Sequence, residues 1–281
     1  MSPFGRDGIR LRENAEMVRK QPDPRERFVV ILVRPESVEN IGLAARAMKN
    51  TGFRHLRVIG RSKVEIACPR TAVHAKDILK EASFYTDLPT ATADLNVVFA
   101  STAKPRQNFS VLPLDEAVPK MLSFLPEARI GLLFGNERTG LTSAELAASN
   151  FRWTIPQASR QPSYNLAAAV LITLFEVFRR LILGTVLFSN DPVPRITSCG
   201  EEKTGPSPFL TGATREVPLP RSDQEECIRL IIQKLEEREF IHPTNRRHTT
   251  QMLHDLLGRL AMTDRDRKLL LAMFSHAGPN K

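Results

Sequence analysis

The sequence predicts an α/β protein built on a parallel sheet, and three observations carry that prediction. Short strand-like runs, such as the β-branched 28–33 (FVVILV), 55–59 and 130–134, alternate with stretches whose apolar residues recur at helical spacing. The first of these runs is apolar throughout, as expected of a strand covered on both faces. Gly, Pro, Asn and charged residues cluster at the ends of such runs, where chains in open α/β sheets turn and bind ligands.

Taken in order, residues 28–33 form a strand that ends before Pro35. Ser37 can cap a helix whose apolar face is Val38, Ile41, Ala45 and Met48, stopped by Asn50 and Gly52. Residues 55–59 complete a strand–helix–strand unit, whose crossover is expected to be right-handed. A helix around 72–80, a short strand near 82–84, a strand at 96–100, a helix at 114–124 and a strand at 130–134 continue the alternation. A helix at 143–149, a strand at 152–155 and a long helix at 165–183 close it. Residues 190–221 are rich in Pro, Ser, Thr and Gly and read as a linker. Three helices are expected beyond it; Ser222 and Glu225 have the spacing of a capping box for the first. The domain scheme is therefore a basic N-terminal extension (1–27), an α/β domain (28–189), the linker (190–221) and a helical C-terminal domain (222–281).

The 281 residues carry 40 Lys plus Arg against 31 Asp plus Glu. Of the net +9, +6 falls within 28–189, where 19 basic residues oppose 13 acidic ones. That excess suits a polyanionic partner, most simply nucleic acid. Cys68, Cys199 and Cys227 lie far apart, the six histidines lack metal-ligand spacing, and no HExxH occurs, so no metal site is expected. The longest apolar run, 166–178, is too short to span a bilayer and contains Glu176. No apolar signal region precedes residue 28, and a reducing cytoplasm is the expected compartment.

Three polar segments interrupt the apolar pattern at the ends of predicted strands: Glu39-Asn40-Ile41-Gly42-Leu43-Ala44-Ala45-Arg46, Phe134-Gly135-Asn136-Glu137-Arg138-Thr139-Gly140-Leu141, and Ile155-Pro156 through Ser163-Tyr164-Asn165-Leu166. In the first, Glu39 and Arg46 are seven apart and can pair on one helix face. In the second, Gly135 and Gly140 have phosphate-loop spacing, but Leu141-Thr142 replaces the Lys-Ser/Thr such a loop needs. What is left is a turn whose amides two glycines leave free, followed by a helix capped by Thr142 or Ser143 with Glu145. In the third, Ser and Asn precede a buried helix and can cap it while contributing to a ligand site. The missing GxGxxG argues against a dinucleotide-dependent oxidoreductase.

The patterns N-x-G-x-x-A-R, F-G-N-E-x-x-G-L, and I-P followed by S-Y-N-L-A-x-A-V resemble, in order and spacing, the three motifs of the SPOUT superfamily of RNA 2′-O-methyltransferases, and within it the TrmJ branch. The resemblance covers residues 28 to 185 and extends to the helical tail. It implies a C-terminal deep trefoil knot, a homodimer with its active site at the subunit interface, S-adenosylmethionine as cofactor, and tRNA as substrate, methylated at a cytidine or uridine ribose of the anticodon loop near position 32. It implies catalytic roles for Arg46, Asn40, Ser163 and Asn165. Cofactor contacts would come from Ser101, Thr102, Ala103, Gly135, Asn136, Glu137, Gly140, Ile155, Pro162, Ser163, Tyr164 and Leu166, and RNA contacts from Arg46, Arg106 and Arg138. Arg is a poor base at its normal pKa, so Arg46 would act through a neighbouring phosphate or in a strongly perturbed setting. Two residues depart from the pattern: Tyr164 stands where the branch usually has an aliphatic residue, and Asn136 where it often has a basic one. The alternatives are an rRNA 2′-O-methyltransferase and a non-catalytic RNA-binding protein of the same fold.

Overall fold

The computed structural model of the chain describes residues 23–62, 72, 74–103, 110–158, 163–188, 216–242, 246–258 and 260–276. Within them the chain runs β1 (Phe28–Val33), α1 (Val38–Thr51), β2 (His55–Ile59), α2 (Lys76–Glu81), β3 (Ser83–Tyr85), α3 (Leu88–Thr92) and β4 (Val97–Ser101). It continues through β5 (Leu112–Pro113), α4 (Leu114–Leu122), β6 (Ile130–Phe134), α5 (Ser143–Ala147), β7 (Phe151–Thr154) and α6 (Leu166–Phe188). Helices α7 (Arg221–Glu237), α8 (Arg246–Gly258) and α9 (Asp264–His276) follow.

The seven strands form one sheet in the order β3, β2, β1, β6, β4, β7, β5, and every described pairing is parallel. All strand C-termini therefore meet at one edge. β1 is central: all six of its residues are buried, and successive side chains enter opposite layers. Val30 and Leu32 join Leu132, Phe134 and Phe99 beneath α1 and α6, whereas Val29, Ile31 and Val33 join Val98, Ala100 and Leu133 beneath α3 and α5. Each fully buried side chain of this size contributes about 1.5–3 kcal/mol, which is why this run can only be a central strand.

Helix α1 begins where Ser37 Oγ accepts from the Asn40 N–H at 3.3 Å and ends at Gly52, whose φ of 79° lets its N–H reach the Lys49 and Met48 carbonyls. The expected helix near 72 starts only at Lys76, because His74 takes a left-handed φ of 62° just upstream. The helix at 143 stops at Ala147, and Ser149 turns its hydroxyl back to the Leu146 carbonyl. Two short elements, α3 and β5, have no expected counterpart.

Helices α7, α8 and α9 enclose a small core of Cys227, Ile228, Ile231, Leu257 and Met262. The last part of the expected linker is in fact pinned to the sheet. The Pro218 carbonyl accepts from Asn96 Nδ2, and the Leu219 N–H donates to the Met262 carbonyl at 2.7 Å. The expected capping box at Ser222 is absent. The helix starts at Arg221 instead, and the N–H groups of Arg221 and Ser222 donate to the Leu95 and Ala93 carbonyls at 2.7 and 3.1 Å. Those bonds already satisfy the helix start, and Ser222 Oγ donates to Asp223. Beside them, fully buried Gln224 donates from Nε2 to the carbonyls of Asn96 (2.9 Å) and Leu219 (2.6 Å). The 1–22 part of the N-terminal extension, residues 190–215, Cys68 and Cys199 lie outside the described residues.

Gln224→Leu keeps the volume but leaves two buried carbonyls without their donor, so it should cost about 1–3 kcal/mol. Urea unfolding should register that loss, and amide exchange in α7 should rise.

Candidate functional site

The C-terminal ends of β4, β6 and β7 surround a cavity of about 360 Å³. Ser101, Thr102 and Ala103 after β4, Phe134 through Leu141 after β6, and Ile155, Gln157, Ser163, Tyr164, Leu166 and Ala169 between β7 and α6 form its walls. The volume falls in the range of small-molecule and cofactor pockets.

The segment after β6 is a closed loop. A side chain added at Gly135 would put its Cβ 2.4 Å from the backbone of Gly140 and Leu141, so only glycine fits. Gly140 has a φ of 66° and returns its N–H to the Asn136 carbonyl at 2.8 Å. Asn136 Oδ1 accepts from the N–H groups of Arg138 (2.9 Å) and Thr139 (3.0 Å), and Nδ2 donates to the Arg34 carbonyl (2.8 Å). The expectation of free turn amides is therefore corrected: the Asn136 side chain and carbonyl occupy three of them. Thr142 caps α5, and its box with Glu145 is complete in both directions.

Glu137 joins the three segments. Its carboxylate accepts from the N–H groups of Glu36 (2.8 Å) and Ser37 (3.3 Å) and from Asn40 Nδ2 (2.9 Å). Asn40 Oδ1 in turn accepts from Asn165 Nδ2 at 3.0 Å. Asn165 Oδ1 caps α6 through the Ala167 N–H at 2.9 Å. Arg34, unremarked in the sequence, holds this frame from the other side with a φ of 48°, a bidentate pair to Glu145, and the carbonyl that Asn136 uses. Arg61, also missed, donates to the Pro35 carbonyl at 2.9 Å and to that of Glu36. Neither residue had a sequence signal beyond its position at a strand end.

Of the residues the sequence nominated, Ser101, Thr102, Ala103, Gly135, Asn136, Glu137, Arg138, Gly140, Ile155, Ser163, Tyr164 and Leu166 line the cavity. Asn40 and Asn165 join it through the Glu137 network. Arg46 does not line it. Arg46 is exposed on α1 and makes no hydrogen bond or ion pair with a described residue, and the expected pairing with Glu39 is absent; Glu39 accepts from Ser37 Oγ at 2.8 Å. Arg106 and Pro162 lie outside the described residues. Among the described residues, no cluster of three His, Cys, Asp or Glu side chains could hold a metal ion, and no helix is long and apolar enough to cross a membrane.

Burial raises the pKa of the Glu137 carboxyl, but bonds from the Glu36 N–H, the Asn40 amide and the Ser37 N–H outweigh it, and the group lies below the usual carboxylate range. Burial likewise raises Glu145, and the Arg34 guanidinium and Thr142 bring it below that range. The stability these two groups supply is complete above the unfolded-state carboxylate pKa, about 4.3, and is lost as pH falls through the depressed native values. Unfolding midpoints measured from pH 6 downward should therefore drop in acid, and Glu137→Gln should flatten that dependence while lowering stability at neutral pH.

Comparison with known proteins shows the family. Residues 27–175, more than half of the chain, match the model of the SpoU rRNA Methylase family. The chain is 30% identical over 217 residues to the tRNA (cytidine-2′-O-)-methyltransferase TrmJ of Methanocaldococcus jannaschii, covering 75% of this chain and 92% of the relative. It is 28% identical over 249 residues to the tRNA (cytidine/uridine/adenosine-2′-O-)-methyltransferase TrmJ of Pseudomonas aeruginosa, covering 87% and 91%. The crystal structure of TrmJ from Z. mobilis superposes with a TM-score of 0.67 at 25% identity, covering 88% of this chain and 97% of that one. The chain belongs to the SpoU rRNA methylase family.

Proposed function

We propose that this chain is an S-adenosylmethionine-dependent tRNA 2′-O-methyltransferase acting on a cytidine or uridine ribose of the anticodon loop. The observation that carries the reading is the Glu137–Asn40–Asn165 network, which fixes three separate segments around one cofactor-sized cavity in a chain of this family. The donor set fits the cofactor. The wall combines backbone, short hydroxyl side chains and apolar surface, with Glu137 and Arg138 as its only charged members among the described residues. Bound there, S-adenosylmethionine supplies an electrophilic methyl group on sulfur.

The chain's own residues hold and orient. Backbone at 101–103, Gly135, Ile155, Ser163 and Tyr164 contacts the cofactor, and Asn40, Ser163 and Asn165 support the ribose. Arg46 makes no ion pair with a described residue, so the partner that fixes it is a phosphate of the RNA. Held by that phosphate, Arg46 orients the 2′-hydroxyl, whose proton would pass to a phosphate oxygen as the O–CH3 bond forms and the S–CH3 bond of the donor breaks, leaving the neutral thioether. Positioning of this kind contributes roughly 7–11 kcal/mol to a methyl transfer. Arg138, exposed and only loosely paired with Glu36 at 3.4 Å, is a second RNA contact.

The working unit in this reading is a homodimer. Leu43, Leu171, Phe175 and Ile182 expose apolar surface on α1 and α6, helices that pack on each other, and Arg46 lies one helical turn from Leu43. A second copy covering that face would border Arg46 directly. The strand order, with β6 between β1 and β4 and β7 beyond β4, supports a knotted C-terminal half of the catalytic domain (28–189). The α7–α9 core supports a separate helical unit at 222–281.

Incubation with labelled S-adenosylmethionine and either total tRNA or rRNA should label tRNA alone, at an anticodon-loop pyrimidine. Arg46→Ala should lower transfer at least ~10²-fold while cofactor binding by calorimetry persists. Label in rRNA alone, or undiminished transfer by the variant, refutes the assignment. Phe175→Glu should shift the protein from dimer to monomer by sedimentation and remove activity with it.

A further inference from the structure

Both ends of the connection between β7 and α6 contribute to the cavity wall, through Ile155 and Gln157 on one side and Ser163 and Tyr164 on the other. The Tyr164 hydroxyl donates to the Pro156 carbonyl at 3.0 Å, joining two residues eight positions apart. Tyr164 lines the cavity yet keeps 42% of its surface exposed, so its ring stands at the mouth and not in the core. The only other aromatic residue of the wall among the described residues, Phe134, is fully buried. The backbone beside Tyr164 is already fixed, because Asn165 both caps α6 and holds Asn40. The hydroxyl bond therefore does something the helix cap does not: it ties Pro156 to this fixed point.

We propose that Tyr164 is a positioning residue whose hydroxyl bond to the Pro156 carbonyl ties the two described ends of the β7–α6 connection together at the cavity wall and slows the release of bound ligand, which on the reading above is S-adenosylmethionine. This strap acts on the exchange of methyl donor and product without supplying any group to the reaction. A net hydrogen bond of ordinary strength corresponds to about a 2- to 10-fold change in an equilibrium constant, and changes within one binding site appear mainly in the dissociation rate.

The test compares the full-length wild type with Tyr164→Phe, which loses only the hydroxyl, and Tyr164→Leu, which also loses the ring. Calorimetry gives the Kd for S-adenosylmethionine, and displacement of labelled cofactor by excess unlabelled cofactor gives its release rate. Amide exchange at Gln157 in the cofactor-free protein reads the strap itself. The phenylalanine variant should release cofactor about 2- to 10-fold faster, with the cofactor KM rising more than kcat falls, and Gln157 should exchange faster. The leucine variant should release it at least as fast. Release by Tyr164→Phe at the wild-type rate overturns the proposal, whatever the exchange shows. If wild type binds no S-adenosylmethionine, the methyltransferase reading fails separately, and unchanged exchange at Gln157 then removes the strap as well.

Discussion

One half-buried carboxylate, that of Glu137, holds the site together. Its oxygens take two N–H groups from the turn after β1 and the amide of Asn40, while its backbone belongs to the loop after β6. Through Asn40 and Asn165 it also fixes the start of α6, an element more than 25 residues further along the chain. Hydrogen bonds to a charged acceptor are stronger than neutral ones, about 1.5–3 kcal/mol each, and here they act between segments that share no local contact. The rest of the loop is shaped so that the carboxylate can sit there: Gly135 lets the backbone cross itself, Asn136 occupies the turn amides, and Arg34 accepts backbone strain at its positive φ.

Much of this was legible in the residues. β1 could be read from its six apolar positions, the end of α1 from Gly52, and the cap of α5 from Glu145 with Thr142 or Ser143, of which Thr142 is the cap, because each depends on local chemistry. The three motif segments were legible as one candidate site through their resemblance, in order and spacing, to the three motifs of the SPOUT superfamily. What the sequence hid depends on partners distant in the chain. β5 is two residues long and exists by pairing with Trp153 and Thr154. α3 is a five-residue helix containing Pro89 and two threonines, started by Asp87, and its propensity is poor. Ser222 looked like a cap, but backbone carbonyls of residues 93 and 95 had already taken that role. The Asn136 side chain differs from these: its bonds to the N–H groups two and three residues on are local Asx-turn chemistry, which the reading of two free glycine amides passed over.

The two edges of the sheet carry different burdens. The cavity lies at the C-terminal edge, where loops can vary without disturbing strand pairing. The helices α7–α9 attach at the opposite edge, through Asn96, which precedes β4, and near Asn150, which precedes β7. There Gln224, Asn96 and Asn150 form a buried polar cluster in which Asn150 Oδ1 also accepts from the Val98 N–H at 2.9 Å. Buried amides of this kind fix one docking geometry, since a shifted helix would leave several of them unsatisfied.

The chain contains a single tryptophan, Trp153, and the fold has placed it at the site. The indole is fully buried in β7, edge-on to Phe134 at 5.4 Å, and its main-chain carbonyl accepts from the Thr102 N–H at 2.9 Å. Its ring N–H has no hydrogen-bond partner among the described residues. Two of its contacts, Phe134 and Thr102, are themselves cavity wall. Indole emission, excited at wavelengths that tyrosine does not absorb, therefore has one origin, dry and adjacent to the pocket, so the molecule carries its own optical reporter of what enters there.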